Sequence, residues 1–322
     1  MQRYQLSRKL EGRCQIRCQP LHGQSREFPW VSFMKLRPIF EIAIPDSFTS
    51  NYNDLTQRTF TIGFIARACS IFQVERIHIY RENPHHPKRN ISRQIKKILE
   101  YLDTPQYLRK IIFGKDRDLE RIGVAPPLRA PHHKSWKPID ELNVGELREG
   151  VVMKNVTGKS LVYIGLNRNV IVNNELPVGR RVTVKITDVK NGKITGEIVS
   201  REELAVYWGY RVDILSYGLE RLLRGGKKCL KILTSRKGDP IQSRLLDLKK
   251  AFQVHERSLI VFGGPYRGLF EILNENLIYE LSDFILNTIP HQATETVRTE
   301  EAIYITLGIL NILRAPQIIL GI

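Results

Sequence analysis

Cysteine is scarce in this chain, with four in 322 residues, and the four (Cys14, Cys18, Cys69, Cys229) are too scattered for a disulfide framework or a zinc ribbon. Long apolar runs are missing too. The longest, Ala302–Leu313, is interrupted by Thr306, Gly308 and Asn311, which argues against a membrane-spanning helix. The first 33 residues contain no apolar signal-peptide core. No Gly-Lys-Ser/Thr follows a glycine-rich turn and no G-x-G-x-x-G opens a helix, so P-loop and dinucleotide-fingerprint chemistry are disfavoured. These absences predict a soluble protein of a reducing, cytoplasmic compartment, with no membrane partner and no metal. The histidine pairs His85-His86 and His132-His133 lack both the helical i, i+4 spacing and the cysteine partners of a zinc site.

Acidic residues are in deficit, 33 against 50 Lys and Arg, leaving a formal net charge of +17. With 42% hydrophobic and 26% charged residues the chain can still bury a core. A large basic excess on a globular chain points to a polyanionic partner. The excess is uneven: +12 over residues 1–134 (24 basic, 12 acidic), +3 over 135–200 (10 and 7), +6 over 201–257 (13 and 7) and −4 over 258–322 (3 and 7). A basic body suited to phosphate backbone is joined to an acidic, apolar C-terminal segment with a different task.

The pattern divides the chain into four parts. Residues 1–34 show no sustained period and read as an extension outside the fold. Residues 35–134 begin an α/β domain: a strand at Pro38–Ile44, helical spacing from Leu55 to Phe72, a strand at Glu75–Tyr80, a basic helix at Ile91–Leu102 and a further helix and strand near Tyr107–Phe113. Ala125-Pro-Pro-Leu-Arg-Ala-Pro131-His-His reads as a linker. Residues 135–203 alternate with a period of two, in about five short strands with an Asn191-Gly192 hairpin turn, which fits a small inserted OB-like β-barrel. In Arg181-Val-Thr-Val-Lys-Ile-Thr187 the apolar residues occupy one face and Arg, Thr and Lys the other. Residues 204–322 resume the α/β rhythm and complete a parallel sheet. Tyr207, Trp208 and Tyr210 suit either packing or base stacking.

The chemistry concentrates near the C-terminus. Gly263, Gly264 and Gly268 follow a buried strand, where backbone must turn sharply and approach a ligand. A ligand without phosphate, neutral or cationic, suits the −4 charge there, and S-adenosylmethionine has those properties. Phe284-Ile-Leu-Asn287-Thr-Ile-Pro290 is a strand ending in a proline-locked loop. Thr299 is a plausible N-cap, with Glu300 and Glu301 favouring the helix dipole in the first turn of a helix apolar all round, hence buried.

The set Val261-Phe-Gly-Gly-Pro-Tyr-Arg-Gly268, Asn287-Thr-Ile-Pro290 and Arg298-Thr-Glu-Glu-Ala302 resembles the α/β-knot (SPOUT) RNA methyltransferases, in particular the branch with an OB-like barrel inserted in the catalytic domain. The resemblance extends through Asn51–Arg58, Ile65–Ala68, Pro131–His133, Arg148–Val152 and Tyr207–Tyr210, and covers roughly residues 39–313. It implies a C-terminal trefoil knot, S-adenosylmethionine as cofactor, RNA (ribosomal or transfer) as substrate, and a homodimer formed through the knotted domain with the site near the subunit boundary. The cofactor loops it implies are Thr234 and Ser235; Gly263, Gly264 and Gly268; Leu286, Asn287 and Ile289; and Thr299, Glu300 and Ala302. His291-Gln-Ala departs from the small residues or glycines usual after that proline.

Substrate-side candidates for catalysis are Asn51, Arg58, Arg267 and Arg298, and arginines at such points clamp phosphate or stack on bases. Candidate RNA contacts are Arg67, Arg93, Lys96, Lys97, His132, His133 and Lys185. Three functions are therefore in competition. An S-adenosylmethionine-dependent RNA methyltransferase acting on a base nitrogen or ribose oxygen leads. A non-catalytic RNA-binding or ribosome-assembly factor on the same fold comes second, and a nucleotide-dependent enzyme third.

Overall fold

Strand β1 (Ile39–Pro45) is buried along its whole length, because the sheet it centres is covered on both faces. The structure, a computed structural model, describes residues 35–83, 85, 89–225 and 228–314, so the reading of residues 1–34 lies outside the described residues. After β1, helix α1 (Leu55–Ile71) starts at Asp54, whose carboxylate accepts the backbone N–H groups of Thr56 (2.9 Å) and Gln57 (3.2 Å). Strand β2 (Val74–Arg81) pairs in parallel with β1 and completes a βαβ unit. Helices α2 (Arg89–Asp103) and α3 (Gln106–Phe113) follow. The strand expected near Tyr107–Phe113 is absent; the whole segment is helical, with Leu108 buried and Lys110 exposed, and Gly114 terminates it at φ +59°.

The next five strands form a closed barrel: β3 (Leu147–Val156), β4 (Lys159–Tyr163), β5 (Val170–Val172), β6 (Arg181–Lys190) and β7 (Lys193–Val199), in the order β3-β4-β5-β7-β6. Alternate residues, among them Val162, Val170, Val172, Val184, Ile186 and Ile194, fill its interior. Asn191 and Gly192 both have positive φ (49° and 71°), the geometry of a two-residue hairpin turn.

The chain then returns through β8 (Arg211–Gly218), α4 (Leu219–Arg224), β9 (Cys229–Pro240), α5 (Ile241–Val254), β10 (Arg257–Val261), α6 (Leu269–Ile272), α7 (Glu275–Leu281), β11 (Phe284–Asn287) and α8 (Thr299–Arg314). The sheet is six-stranded, ordered β11-β9-β10-β1-β2-β8, and every pairing in it is parallel. One face packs Phe40, Ile42 and Ile44 against α1, α2, α5 and α8; the other packs Ala43, Tyr80 and Val261 against α4, α6 and α7. Because all strands run one way, their C-terminal turns emerge along a single edge, where open α/β sheets bind ligands.

Two expectations are corrected where the barrel meets the sheet. The segment 125–133 is docked and is not a free linker: Leu128 is buried and the Arg67 guanidinium donates to the carbonyls of Pro127 (3.1 Å) and Leu128 (2.5 Å). The aromatic run is packing, with Tyr207, Trp208 and Tyr210 all buried, and β8 begins at Arg211, after the expected Trp208. Gly209 makes this possible at φ +83°, since a Cβ there would lie 2.2 Å from Asp103 Oδ1.

Around that glycine lies a buried charge cluster. Glu149 on β3 accepts from Arg181 (2.6 Å), Arg201 (2.6 Å), Trp208 Nε1 (2.7 Å) and Thr183 (2.6 Å). Asp103 at the end of α2 pairs with Arg181 (3.1 Å) and His132 (3.1 Å) and accepts from the Tyr210 backbone N–H (3.2 Å). Burial alone would raise the Glu149 pKa, but the guanidiniums of Arg201 and Arg181 bring it down to about 2. Asp103, also buried, is held below the usual carboxylate range by His132, Arg181 and Arg201. Burial, reinforced by the neighbouring His132 ring, pushes the His133 imidazole down to about 3.

Candidate functional site

Three turns converge on a cleft of about 290 Å³ at the C-terminal edge of the sheet. The second half of β9 contributes Thr234, Ser235, Arg236 and Lys237. The turn after β10 contributes Gly263, Gly264 and Gly268. The end of β11 contributes Leu286 and Asn287 and the turn after it Ile289, and the start of α8 adds Thr299 and Ala302. The turns are tied to one another. The Thr299 hydroxyl donates to the Gly263 carbonyl (3.3 Å), the Asn287 amide to the Arg236 carbonyl (3.3 Å), and Arg236 to the Glu295 carbonyl (2.8 Å). Beneath them the hydroxyls of Thr288 and Thr306 meet at 2.8 Å inside the core. The glycine turn closes on itself, the Gly264 N–H donating to the Arg267 carbonyl (2.9 Å).

The glycine turn is closely packed against its neighbours. A Cβ on Gly264 would lie 2.9 Å from the Glu82 carboxylate and 3.1 Å from the Ser47 hydroxyl, and one on Gly263 would lie 3.3 Å from the Gly268 Cα. His291, the departure after Pro290, adopts φ +60°, a left-handed conformation that glycine takes at lower cost.

One residue expected in the cleft faces elsewhere. Glu300 points away from it into a neighbouring cavity of about 490 Å³, whose lining includes Tyr52, Phe60, Phe64, Arg298 and Glu301. There Glu300 accepts a hydrogen bond from the Tyr52 hydroxyl at 2.7 Å, and Arg298 Nη1 reaches that hydroxyl at 3.4 Å. Arg58 Nε holds the Tyr52 carbonyl at 2.6 Å, so Arg58 and Arg298 join one cluster, with Asn51 exposed next to Tyr52. Burial and the bond to Glu300 raise the Tyr52 pKa, which keeps the phenol protonated. Arg267 is exposed on the glycine turn and donates to the Glu271 carbonyl. The catalytic candidates thus fall on two sides of the first turn of α8.

The expected RNA contacts divide further. His132 has no exposed surface and belongs to the buried cluster, so it is not an RNA contact. His133 is partly buried and bonded to the Asp103 carbonyl (3.1 Å). Lys97 is neutralised by Asp116 (2.7 Å) and Asp118 (2.6 Å), and Arg67 is spent on the docked segment. Arg93 and Lys185 are exposed; Lys185 pairs loosely with Glu197 (3.4 Å) and Lys96 with Glu100 (3.5 Å).

The sequence reading also missed residues. Arg236 and Lys237 line the cleft, so the negative balance of residues 258–322 is not the charge of the site. The Lys237 ammonium lies 5.4 Å from the centre of the Phe270 ring. Both stand directly after Thr234-Ser235, and their adjacency to a predicted turn was the available signal. Tyr52, between Asn51 and Arg58, had no signal of its own. Among the described residues, no group of three or more His, Cys, Asp or Glu is arranged to hold a metal ion.

The chain has known relatives. The model of a family described as a putative RNA methyltransferase matches residues 40–310. Two proteins named 28S rRNA (uridine-N(3))-methyltransferase are similar over most of the chain. That of Mus musculus is 33% identical over 302 residues, covering 84% of this chain and 75% of the relative; that of Homo sapiens is 32% identical over 305 residues, covering 84% and 77%. An uncharacterized protein of Haloarcula marismortui is 29% identical over 287 residues, covering 84% of this chain and 98% of its own.

Proposed function

The chain belongs to this RNA methyltransferase family, and from that premise we propose that it transfers the methyl group of S-adenosylmethionine to N3 of a uridine in ribosomal RNA, on an α/β-knot (SPOUT) fold carrying an OB-like barrel. The observation that carries this reading is the convergence of the three cross-tied C-terminal turns on one cleft at the sheet edge. The closed strand order of the barrel, with β5 and β7 parallel, supports the OB-like assignment.

The cleft residues suit this donor. The close approach of Gly263 and Gly268 leaves backbone as its wall, and Leu286, Ile289 and Val297 offer an apolar surface for adenine. Arg236 and Lys237 are available for a carboxylate, and Glu271 for a cationic centre. When bound, the donor supplies a methyl group activated by a sulfonium. The protein's own part is to position the nucleophile in line, which can account for much of a rate enhancement. Uridine N3 carries a proton, which passes to solvent water before N3 takes the methyl group. The guanidiniums of Arg58 and Arg298 favour its anionic form, and the Tyr52–Glu300 pair fixes Arg298 beside α8. Arg93, Lys96 and Lys185 would contact the RNA backbone from outside the site.

The substrate-side cluster adjoins an exposed apolar face, where Phe60 and Phe64 stack (centroids 6.1 Å apart) and Phe64 meets Tyr304 at 4.4 Å, with Ile71, Ile305 and Ile312 also exposed. We assign this face to a homodimer contact, which would complete the site at the subunit boundary. Among the described residues no helix is long and apolar enough to cross a membrane.

Labelled S-adenosylmethionine incubated with protein and ribosomal RNA, followed by nucleoside mass spectrometry, tests the reading. Label in 3-methyluridine is expected. Label in another nucleoside would overturn the assigned atom, and absence of binding heat with S-adenosylmethionine would overturn the cofactor.

A further inference from the structure

A second cleft lies further along the same sheet edge. It encloses about 310 Å³ where β2 and β8 end, and Arg81, Arg221 and Arg224 line it beside Glu82 and Glu220, over an apolar floor of Leu219, Ile272 and Leu273. Its arginines differ in what they do. Arg224 is occupied by Glu220 (2.9 Å) and Glu280 (2.9 Å) at the rim. Arg221 stacks over the Tyr217 ring at 4.8 Å, and among the described residues neither Arg221 nor Arg81 has an acidic partner within ion-pair distance. Glu82, the acid nearest Arg81 in sequence, is held at the other wall by the Ser47 hydroxyl, against Gly264.

This cleft and the methyl-donor cleft share a partition. The short helix α6 gives Leu269 to the donor cleft and Ile272 to the second one, and Glu82 closes the second cleft directly behind Gly264. The glycine turn follows β10 and Arg81 ends β2, two strand spacings apart with β1 between them. At about 4.8 Å per strand spacing this is roughly 10 Å, the rise of about three stacked nucleotides. A guanidinium with no acidic partner, facing a cavity beside a polynucleotide-modifying site, is suited to a phosphodiester, which its fork can grip with two hydrogen bonds.

We propose that Arg81 and Arg221 form a backbone-binding subsite that holds a phosphate of the RNA strand a few nucleotides from the methylated one, with Ile272 packing against its ribose. The proposal rests on the RNA methyltransferase reading of the donor cleft, and extends it to a part of the molecule that the motifs of that cleft do not reach. Arg81 and Arg221 contribute affinity and register here, and take no part in the chemical step.

The test uses the full chain carrying Arg81→Gln and Arg221→Gln together, with Arg37→Gln as a control for lost charge at the opposite edge of the sheet. Affinity for a ribosomal RNA fragment is measured across a salt series, alongside S-adenosylmethionine binding and thermal melting. The double variant is expected to lose about tenfold or more in RNA affinity at low salt, and the slope of log K against log salt is expected to fall by about 2. Cofactor affinity and melting temperature stay at wild-type values, and Arg37→Gln changes the slope by less than half as much. An RNA affinity and salt slope in the double variant within twofold of Arg37→Gln would overturn the subsite. The two readings fail separately: a wild-type chain that binds RNA through these arginines but methylates no uridine sinks the donor-cleft reading alone. A wild-type chain that methylates, paired with a double variant of unchanged slope, sinks the subsite alone.

Discussion

Two polar regions of the molecule are built on opposite terms. Where barrel meets sheet, Asp103 and Glu149 are sealed from water and each is met by two arginines, with Trp208, Thr183, His132 and the Tyr210 N–H taking up further lone pairs. Around the cleft at the sheet edge, charges such as Arg267 and Arg298 are exposed and bonded mainly to backbone or to a hydroxyl. A buried charge is tolerable only when every partner is in place, so the first region can do little except hold geometry. The second keeps donors and acceptors available for something outside the chain. Polarity in this fold therefore has two uses, and burial separates them.

The strongest way to break that contrast is to remove one member of the sealed cluster. Glu149→Ala leaves Arg181 and Arg201 buried beside each other, and is expected to cost about 3–5 kcal/mol in denaturant unfolding. S-adenosylmethionine binding to the fraction that remains folded should stay unchanged. A loss below about 1 kcal/mol would mean that water already reaches the junction.

Acid titration acts on the same region next. His133 has a folded pKa near 3 against an ordinary value of 6.5. As pH falls below 6.5 the unfolded chain takes up a proton that the folded chain refuses, so stability is lost from about pH 6.5 down to about pH 3, at up to about 1.4 kcal/mol per unit. Glu149 and Asp103 add their own loss only below about pH 4.5, since their folded values are depressed and their contribution is complete above the unfolded one. His133→Gln should flatten the stability profile between pH 6.5 and 4.5 and leave the steeper fall below it. An unaltered profile would show that His133 is solvated.

The open region should respond in the reverse manner. Gly264→Arg forces aside only the ends of two side chains, Glu82 and Ser47, and is expected to cost about 1 kcal/mol in stability or less, while S-adenosylmethionine binding falls below detection in calorimetry. Retained affinity would put the donor elsewhere.

The contrast also explains what the sequence made legible. Strands and helices announced themselves because their apolar periods are local, as in Leu55–Phe72 or the Asn191-Gly192 hairpin. The glycine turn and the Asn287 loop were visible for the same reason, since each is a contiguous motif, and the structure brings them to one cleft, whereas Arg236 and Lys237 of that cleft were not singled out. The junction was not readable. Arg181 and Thr183 sit on what looks like the polar, solvated face of β6, yet that face is pressed against Asp103 and Glu149, which lie 78 and 32 residues away from Arg181 along the chain. His132 looked like a loop residue because its partner, Asp103, lies at the end of a distant helix. Glu300 shows the limit within a motif: the spacing put it in the first turn of α8, but which side of that turn it faces depends on Tyr52, and no local pattern contains that contact.

The smallest test sharpens the boundary between the two uses of charge on a single strand. Lys185 is two residues from Thr183 and four from Arg181 on β6, but it is exposed and its contact with Glu197 spans 3.4 Å. An exposed pair of this kind is worth at most a few tenths of a kcal/mol to about 1, so Lys185→Gln should leave unfolding within about 0.5 kcal/mol of wild type. If Lys185 serves RNA, the same change should instead lower the salt slope of RNA binding by about 1. A stability loss comparable with that of Glu149→Ala would mean that the sealed cluster extends to the outer surface of the barrel, and the division between holding and binding charges would then not follow burial.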